Sequence, residues 1–175
     1  MVFKLFKRKT KDLKEQSYDP DTVEKTMTGE RKVFEDAFME IQEGMLSLCT
    51  EFAGDTIVDE IYVYGSIEED AYSFNAFYVK HGQVLATHKI NPDLQTIRQF
   101  LNIGAMDLVR LAETCRDYGR PVPTELRLHY TFDGGHLDAH YEYESVCNPE
   151  NRLSPTKVLH DWQDSVEKAI QQKHN

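Results

Sequence analysis

The sequence predicts an α+β fold: a five-stranded antiparallel sheet with helices packed on one face, in the order α-βββ-α-ββ-α. Three observations carry this prediction. Apolar residues recur at intervals of three and four in three segments, as in amphipathic helices. Between these segments apolar and polar residues alternate in two blocks, as in strands. Short turn sequences join the strands within each block, so neighbouring strands are expected to be antiparallel.

The composition is that of a globular protein. The 175 residues are 40% hydrophobic and 11% aromatic, and a chain of this length buries a sizeable core. We predict a basic flexible tail over residues 1–18 and a single domain over residues 19–175. The chain shows neither a secretory signal nor an apolar run long enough to span a membrane. We therefore expect a cytoplasmic protein.

Residues 18–21, YDPD, can start the first predicted helix, and its amphipathic run ends at Gly54, because glycine favours helix ends. Its apolar stripe consists of Phe34, Phe38, Ile41, Met45, Leu48 and Phe52.

The second predicted helix begins with Asn91 as the N-cap, Pro92 as the first helical residue and Asp93 in the first turn. Gly119 and Pro121 end it. Its predicted stripe consists of Leu94, Ile97, Leu101, Ala105, Leu108, Ala112 and Cys115.

The third predicted helix begins at Ser154 and Pro155, another N-cap pair. Its predicted stripe consists of Val158, Leu159, Trp162 and Val166.

The first strand block predicts a three-stranded meander. Strands are expected over residues 61–67, 72–79 and 83–89, joined by an acidic turn at Glu68, Glu69 and Asp70 and by a turn at His81 and Gly82.

The second strand block predicts a hairpin in the sequence HYTFDGGHLDAHYEYE, residues 129–144. If Gly134 and Gly135 form a two-residue loop, the pairing register follows. The core face then pairs Phe132 with Leu137, Tyr130 with Ala139, Leu128 with Tyr141, and Leu126 with Tyr143. The outer face pairs Thr131 with Asp138, His129 with His140, and Arg127 with Glu142.

The outer face of this hairpin also raises a metal hypothesis. His136, Asp138 and His140 alternate along one strand, and His129 is placed opposite His140. Imidazoles and a carboxylate in such an arrangement are ligands for zinc or iron. Any solvated sheet face gives the same pattern, and a catalytic metal also needs an enclosing pocket and a second shell. We favour the solvated face and expect no metal and no cofactor.

Catalytic motifs are not evident in the sequence. It contains no GxSxG, HExxH, GxxxxGK or GxGxxG pattern. Cys49 and Cys115 lie on the apolar faces of predicted helices and Cys147 in a predicted loop, without a CxxC pair that would indicate a zinc site. We therefore expect a protein that is not an enzyme.

Acidic residues dominate the charge. Thirty acids against twenty bases give a formal net charge of -10. Such a field repels nucleic acid and attracts basic proteins, although many proteins are acidic for solubility alone. The candidate partner-binding residues are Glu68, Glu69, Asp70, Asp138, Glu142 and Glu144.

Three segments resemble the YezG-like family of bacterial immunity proteins, over about residues 57–165. They are IYVYGSIEEDAYSFNAFYVKHGQ, TELRLHYTFDGGHLDAHYEYE, and the late helix with Trp162 after Ser154 and Pro155. The sequence departs from the family in its basic start and long first helix. It also has residues 121–124, PVPT, where the family commonly carries a tryptophan.

This resemblance implies an antitoxin that binds a cognate secreted toxin, often a nuclease of a type VII or similar secretion system, and blocks it by stoichiometric occlusion. From the match, Glu68, Glu69, Asp70, Glu142 and Glu144 would face a basic surface of the toxin. Two other hypotheses stay open: a metal-dependent hydrolase that uses the histidine cluster, and a non-catalytic adaptor that uses a sheet edge or the basic tail. The oligomeric state is not predicted.

Overall fold

The computed structural model describes residues 32–68, 71–147, 150 and 153–173. The predicted tail, residues 1–18, and the start of the predicted domain, residues 19–31, lie outside these ranges. The chain from Phe34 onward forms one compact unit. Its elements are α1 (Phe34–Ala53), β1 (Glu60–Glu68), β2 (Ala71–Lys80), β3 (Gln83–Ala86), a helical turn (Thr87–Ile90), α2 (Leu94–Asp117), β4 (Glu125–Thr131), β5 (His136–Glu142) and α3 (Pro155–Lys173).

The five strands form one antiparallel sheet in the order β3-β2-β1-β4-β5. The predicted α+β class, the five antiparallel strands and the element order are confirmed. β1 lies at the centre of the sheet, and β5 lies at one edge.

Helices α1 and α2 pack on one face of the sheet. Gly104 of α2 lies against the ring of Phe74 in β2, where a Cβ atom would come within 2.1 Å of the ring. The Tyr78 hydroxyl, from the same face of β2, donates a hydrogen bond to the Cys49 carbonyl of α1 at 3.2 Å. Phe100 stacks on Phe52 with ring centroids 4.2 Å apart, which joins the two helices.

Helix α3 packs on the opposite face, which differs from the predicted placement of all helices on one face. The Trp162 ring meets the rings of Tyr62 and Phe77 edge-on, at centroid distances of 5.4 and 5.1 Å. Successive strand residues point to opposite faces, so Phe77 and Tyr78 mark the two sides of β2. Both sides of β1 and β2 carry apolar or aromatic residues, and both therefore require a covering layer.

Two predicted boundaries are wrong. The third strand ends at Ala86 instead of Lys89, because Thr87 begins a helical turn and its hydroxyl donates to the Ala76 carbonyl at 2.7 Å. The N-cap of α2 is Asp93 instead of Asn91, since an Asp93 carboxylate oxygen accepts from the Thr96 amide at 2.9 Å.

The buried stripe of α2 also differs from the prediction in its first half. Leu94 is 69% exposed, whereas Thr96, Phe100 and Gly104 are buried. Leu108, Ala112 and Cys115 are buried as predicted. At Gly104, which has no side chain, the ring of Phe74 approaches the helix closely.

The hairpin turn contains four residues, Phe132 to Gly135, instead of the predicted two. Pairing is therefore shifted by two: Tyr130 pairs with Leu137, Leu128 with Ala139, and Leu126 with Tyr141. A shift of two leaves the side chains on their predicted faces, because the strand period is two. Phe132 and Tyr143, predicted to face the core, lie outside the strands and are 44% and 53% exposed.

Candidate functional site

The outer face of the β4–β5 hairpin carries the three histidines of the metal hypothesis and two of the predicted carboxylates, Asp138 and Glu142. Here His129 pairs with Asp138 and Arg127 with His140. The predicted pairs His129 with His140 and Arg127 with Glu142 are therefore wrong. Strand β5 lies at the sheet edge, so its side chains on this face are reached from solvent.

Two histidines on β5 lie beside carboxylates of the same strand. His136 Nε2 is 3.2 Å from Asp138 Oδ1, and His140 Nε2 is 2.9 Å from Glu142 Oε1. The side chains of Asp138 and Glu142 are 65% and 47% exposed. Because residues two apart in a strand share a face, these pairs form a row of alternating imidazole and carboxylate groups.

His129 belongs to an aromatic stack across the sheet. Its ring stacks on Tyr62 at a centroid distance of 4.2 Å, and Tyr62 stacks on Phe77 at 4.5 Å. Glu60 Oε2 lies 2.6 Å from His129 Nε2 and accepts a hydrogen bond from the Tyr62 hydroxyl at 2.7 Å. Burial and this contact with Glu60 raise the pKa of Tyr62 well above its ordinary value. The phenol therefore stays protonated and keeps donating to Glu60.

Arg127 lies between a buried carboxylate and the tryptophan of α3. Its Nε donates to Glu125 Oε1 at 2.7 Å, and the Glu125 side chain is only 2% exposed. The centre of its guanidinium lies 5.4 Å from the centroid of the Trp162 ring. The Tyr64 hydroxyl also donates to Glu125 at 3.2 Å. Arg127 thus compensates a buried charge and covers one face of the only tryptophan in the sequence.

The four residues of the metal hypothesis, His129, His136, Asp138 and His140, do lie on one face of the hairpin. The Nε2 atom of each histidine lies within 3.2 Å of a carboxylate oxygen, from Glu60, Asp138 or Glu142. Over the described part of the chain, no three histidine, cysteine or acidic side chains are arranged to hold a metal ion.

Glu68 fixes the chain that follows the hairpin. Its Oε1 accepts hydrogen bonds from the amides of Val146 and Cys147, both at 2.7 Å, and its Oε2 accepts one from the Ser145 hydroxyl at 2.8 Å. All three donors come from the loop after β5. Glu68 therefore acts locally, as an anchor between the end of β1 and this loop.

The remaining predicted carboxylates fall in three places. Asp138 and Glu142 share the outer face of β5. Glu144 follows Glu142 by two residues and is exposed, and its backbone carbonyl accepts a hydrogen bond from the Thr124 hydroxyl at 2.6 Å. Glu69 and Asp70 lie outside the described residues. The structure thus brings Asp138, Glu142 and Glu144 together along one edge of the sheet.

A second acidic surface, on α1, is absent from the predicted residues. The helix sequence FEDAFMEIQEGMLSLCTEFA contains five acidic residues and no basic one. Between α1 and the hairpin turn lies a groove of about 410 Å³, which we name the α1 groove. It is lined by Glu43, Leu46, Ser47, Thr50, Glu51, Tyr130 and Phe132. The sequence does contain one sign of this surface, because the acidic residues of α1 lie opposite the predicted apolar stripe. The contact between α1 and residues 130 and 132 could not be inferred from the sequence.

The cysteines are in the places that the sequence predicts. Cys49 and Cys115 are buried on helices, and Cys147 is partly buried in a loop. Burial raises the pKa of all three thiols, most strongly that of Cys49. The thiolate form that a nucleophile or metal ligand requires is therefore disfavoured at each position.

No protein-family model matches the chain, and a search of the curated proteins found no match. Within the described residues, no helix is both long and apolar enough to cross a membrane.

Proposed function

We propose that this chain is an immunity protein that binds a cognate secreted toxin and neutralises it by stoichiometric occlusion. The observation that carries the proposal is the row of exposed carboxylates on edge strand β5 and directly after it, at Asp138, Glu142 and Glu144. The resemblance to YezG-like immunity proteins motivates the choice of partner, and the net charge of -10 favours a basic one.

Edge strand β5 suits protein capture for two physical reasons. Exposed charges at the rim of an interface accelerate encounter with an oppositely charged partner and fix its orientation. A strand at a sheet edge also presents backbone groups that a partner segment can use for pairing. Both features lie on a hairpin whose core face is held by Leu126 and Leu128, which are at most 1% exposed. The surface is thus presented on a fixed support.

Occlusion explains inhibition without catalysis. A nuclease toxin needs a basic surface to hold the phosphates of its substrate. A carboxylate row seated on that surface competes with the phosphates for the same lysine and arginine side chains. We place this complex in the cytoplasm of the toxin-producing cell, where an unblocked nuclease would reach that cell's own nucleic acid.

Co-expression with the protein encoded next to this chain tests the proposal. We expect rescue of growth and a complex of one copy of each protein. A variant with Asp138→Asn and Glu142→Gln should associate about tenfold more slowly at low salt, since exposed interface charges act mainly on the association rate. The matched control is Asp164→Asn with Glu167→Gln, which removes the same charge from exposed positions of α3. Absence of both rescue and complex would refute the proposal.

A further inference from the structure

We infer that the α1 groove receives a lysine or arginine side chain of the toxin. This inference rests on the proposed function and extends it, because it assigns a specific contact on a different face of the hairpin from the β5 carboxylates. The groove has the volume, the wall chemistry and the charge that a long cationic side chain requires.

The wall of the α1 groove on the hairpin side is aromatic. Tyr130 and Phe132 meet edge-to-face with ring centroids 5.1 Å apart. Phe132 is 44% exposed although it is a large apolar residue. Aromatic faces attract ammonium and guanidinium groups, and apolar surface packs against the methylene stem of lysine or arginine. An exposed phenylalanine beside a groove is thus suited to a partner side chain that is apolar along its length and cationic at its end.

The wall on the helix side is acidic. Glu43 and Glu51 are eight residues apart, so they stand about 12 Å apart along the helix axis and on a similar side of it. Ser47 and Thr50 lie between them, and the Thr50 hydroxyl donates to the Leu46 carbonyl at 2.9 Å. No lysine, arginine or histidine is among the described residues that line the groove. Its local charge is therefore negative.

Other occupants fit the α1 groove less well. Phosphates and nucleic acid are repelled by Glu43 and Glu51. The backbone positions of Glu43 and Glu51 are about 12 Å apart along the helix axis, and the described residues of the groove include no group of three possible metal ligands. A wholly apolar ligand would leave both carboxylates uncompensated, and a second copy of this chain would bring another net charge of -10. The stem of a basic side chain from a protein partner can pack on the aromatic wall while its cationic end pairs with one of the two carboxylates, and the other carboxylate adds to the negative field of the groove.

The first test uses n-butylguanidinium as a probe of the full chain by NMR. We expect a dissociation constant in the millimolar range and changes in amide chemical shift that are confined to residues around Ser47, Thr50 and Phe132. A variant with Glu43→Gln and Glu51→Gln should bind at least threefold more weakly, whereas Asp164→Asn with Glu167→Gln should bind as the unaltered chain does. Butyrate has a similar stem and the opposite charge, and it should not bind. Equal binding of butyrate, or equal affinity in the groove variant, would overturn the inference.

The same probe tests competing occupants. Binding that appears only after removal of residues 1–16 would show that the chain's own basic segment fills the groove, and would overturn the inference. Binding that appears only on dilution would identify a second copy of the chain as the occupant, with the same consequence.

The second test uses the complex with the toxin. Phe132→Ala and the Glu43→Gln, Glu51→Gln variant should each raise Kd at least tenfold. Met106→Ala, at an exposed large apolar residue of α2 that belongs to neither proposed surface, is the control and should change Kd less than threefold. If the complex forms and the groove variants bind normally, the groove inference fails and the proposed function stands. If n-butylguanidinium binds but no complex forms, the proposed function fails, and with it the assignment of the occupant to a toxin.

Discussion

Strand β1, at the centre of the sheet, and strand β5, at its edge, show two different uses of the same secondary structure. All seven residues from Ile61 to Ile67 of β1 are buried, whereas no residue of β5 is. β1 lies between the layer of α1 and α2 and the layer of α3, and β5 leaves its outer face to solvent. The free energy of folding is therefore concentrated at the centre, and the edge can vary its charge without unfolding the protein.

The largest expected effect is that of Phe77→Ala in β2, beside β1. Phe77 has no exposed surface and contacts Tyr62 and Trp162. We expect a loss of about 3–5 kcal/mol in the free energy of unfolding, because the substitution leaves a large cavity. Chemical denaturation followed by the fluorescence of Trp162 measures it.

His140→Ala on β5 is the matched contrast. His140 is 62% exposed, so we expect a change within about 0.5 kcal/mol. Similar losses at the two positions would contradict the separation of a stabilising centre from a tolerant edge.

Gly104→Ala in α2 tests how closely a helix approaches the central strands. The added Cβ would come within 2.1 Å of the Phe74 ring. Overpacking of this kind costs about 1–3 kcal/mol, which outweighs the gain of helix propensity of about 1 kcal/mol. The measurement is thermal or chemical denaturation. Adding Phe74→Leu should recover part of the loss because the smaller side chain leaves room for the methyl group. Stabilisation by Gly104→Ala alone would show that the helix can move away at little cost.

Glu68→Ala tests the link between the centre and the edge. The substitution removes the acceptor for the amides of Val146 and Cys147 and for the Ser145 hydroxyl. Water replaces part of these contacts at this partly exposed site, so we expect a loss of about 1–2 kcal/mol. Hydrogen exchange at Val146 and Cys147 should accelerate. Unchanged exchange together with weaker binding of the proposed toxin partner would instead return Glu68 to the predicted partner-binding residues.

The element order and the hairpin faces were predictable because they depend on local patterns. Ser154 and Pro155 start α3 as predicted, with the Lys157 amide donating to the Ser154 hydroxyl at 3.2 Å. The hairpin register is wrong by two residues and still gives the correct faces, since a strand repeats every two residues. The grouping of Asp138 and Glu142 on the outer face of β5 was predictable for the same reason.

The features that were not predictable depend on contacts between distant parts of the chain. Tyr62 and Tyr64 occupy the alternate positions of β1, and the sequence does not show that α3 covers them. The α1 groove joins Glu43 to Phe132, and its existence depends on how α1 lies against the sheet. The role of Glu68 depends on a loop that follows four further strands and a long helix.

The smallest expected effect is a pH dependence of stability at the start of α2, the helix that covers the central strands. Hydrogen bonds from the Thr96 hydroxyl and then from the Thr96 amide lower the pKa of Asp93. The ionised carboxylate is thus favoured in the folded state. The ionised Asp93 carboxylate therefore stabilises the fold fully at pH values above the pKa of aspartate in the unfolded chain, about 3.9. This stabilisation is lost as the pH falls through the pKa of Asp93 in the folded state, which is lower.

Asp93→Asn keeps a side-chain oxygen that can cap the helix but removes the titrating carboxyl group. The free energy of unfolding of the variant should therefore fall less steeply below about pH 4, which is close to the pKa of aspartate in the unfolded chain. Denaturation at a series of pH values gives the slopes. Thr96→Val removes the donor that lowers the pKa most, and an NMR titration of the Asp93 carboxyl carbon should then show a higher pKa. Identical slopes for Asp93→Asn and the unaltered chain would mean that the acid sensitivity of this protein originates elsewhere, and the carboxylates of the edge hairpin would be the next to test.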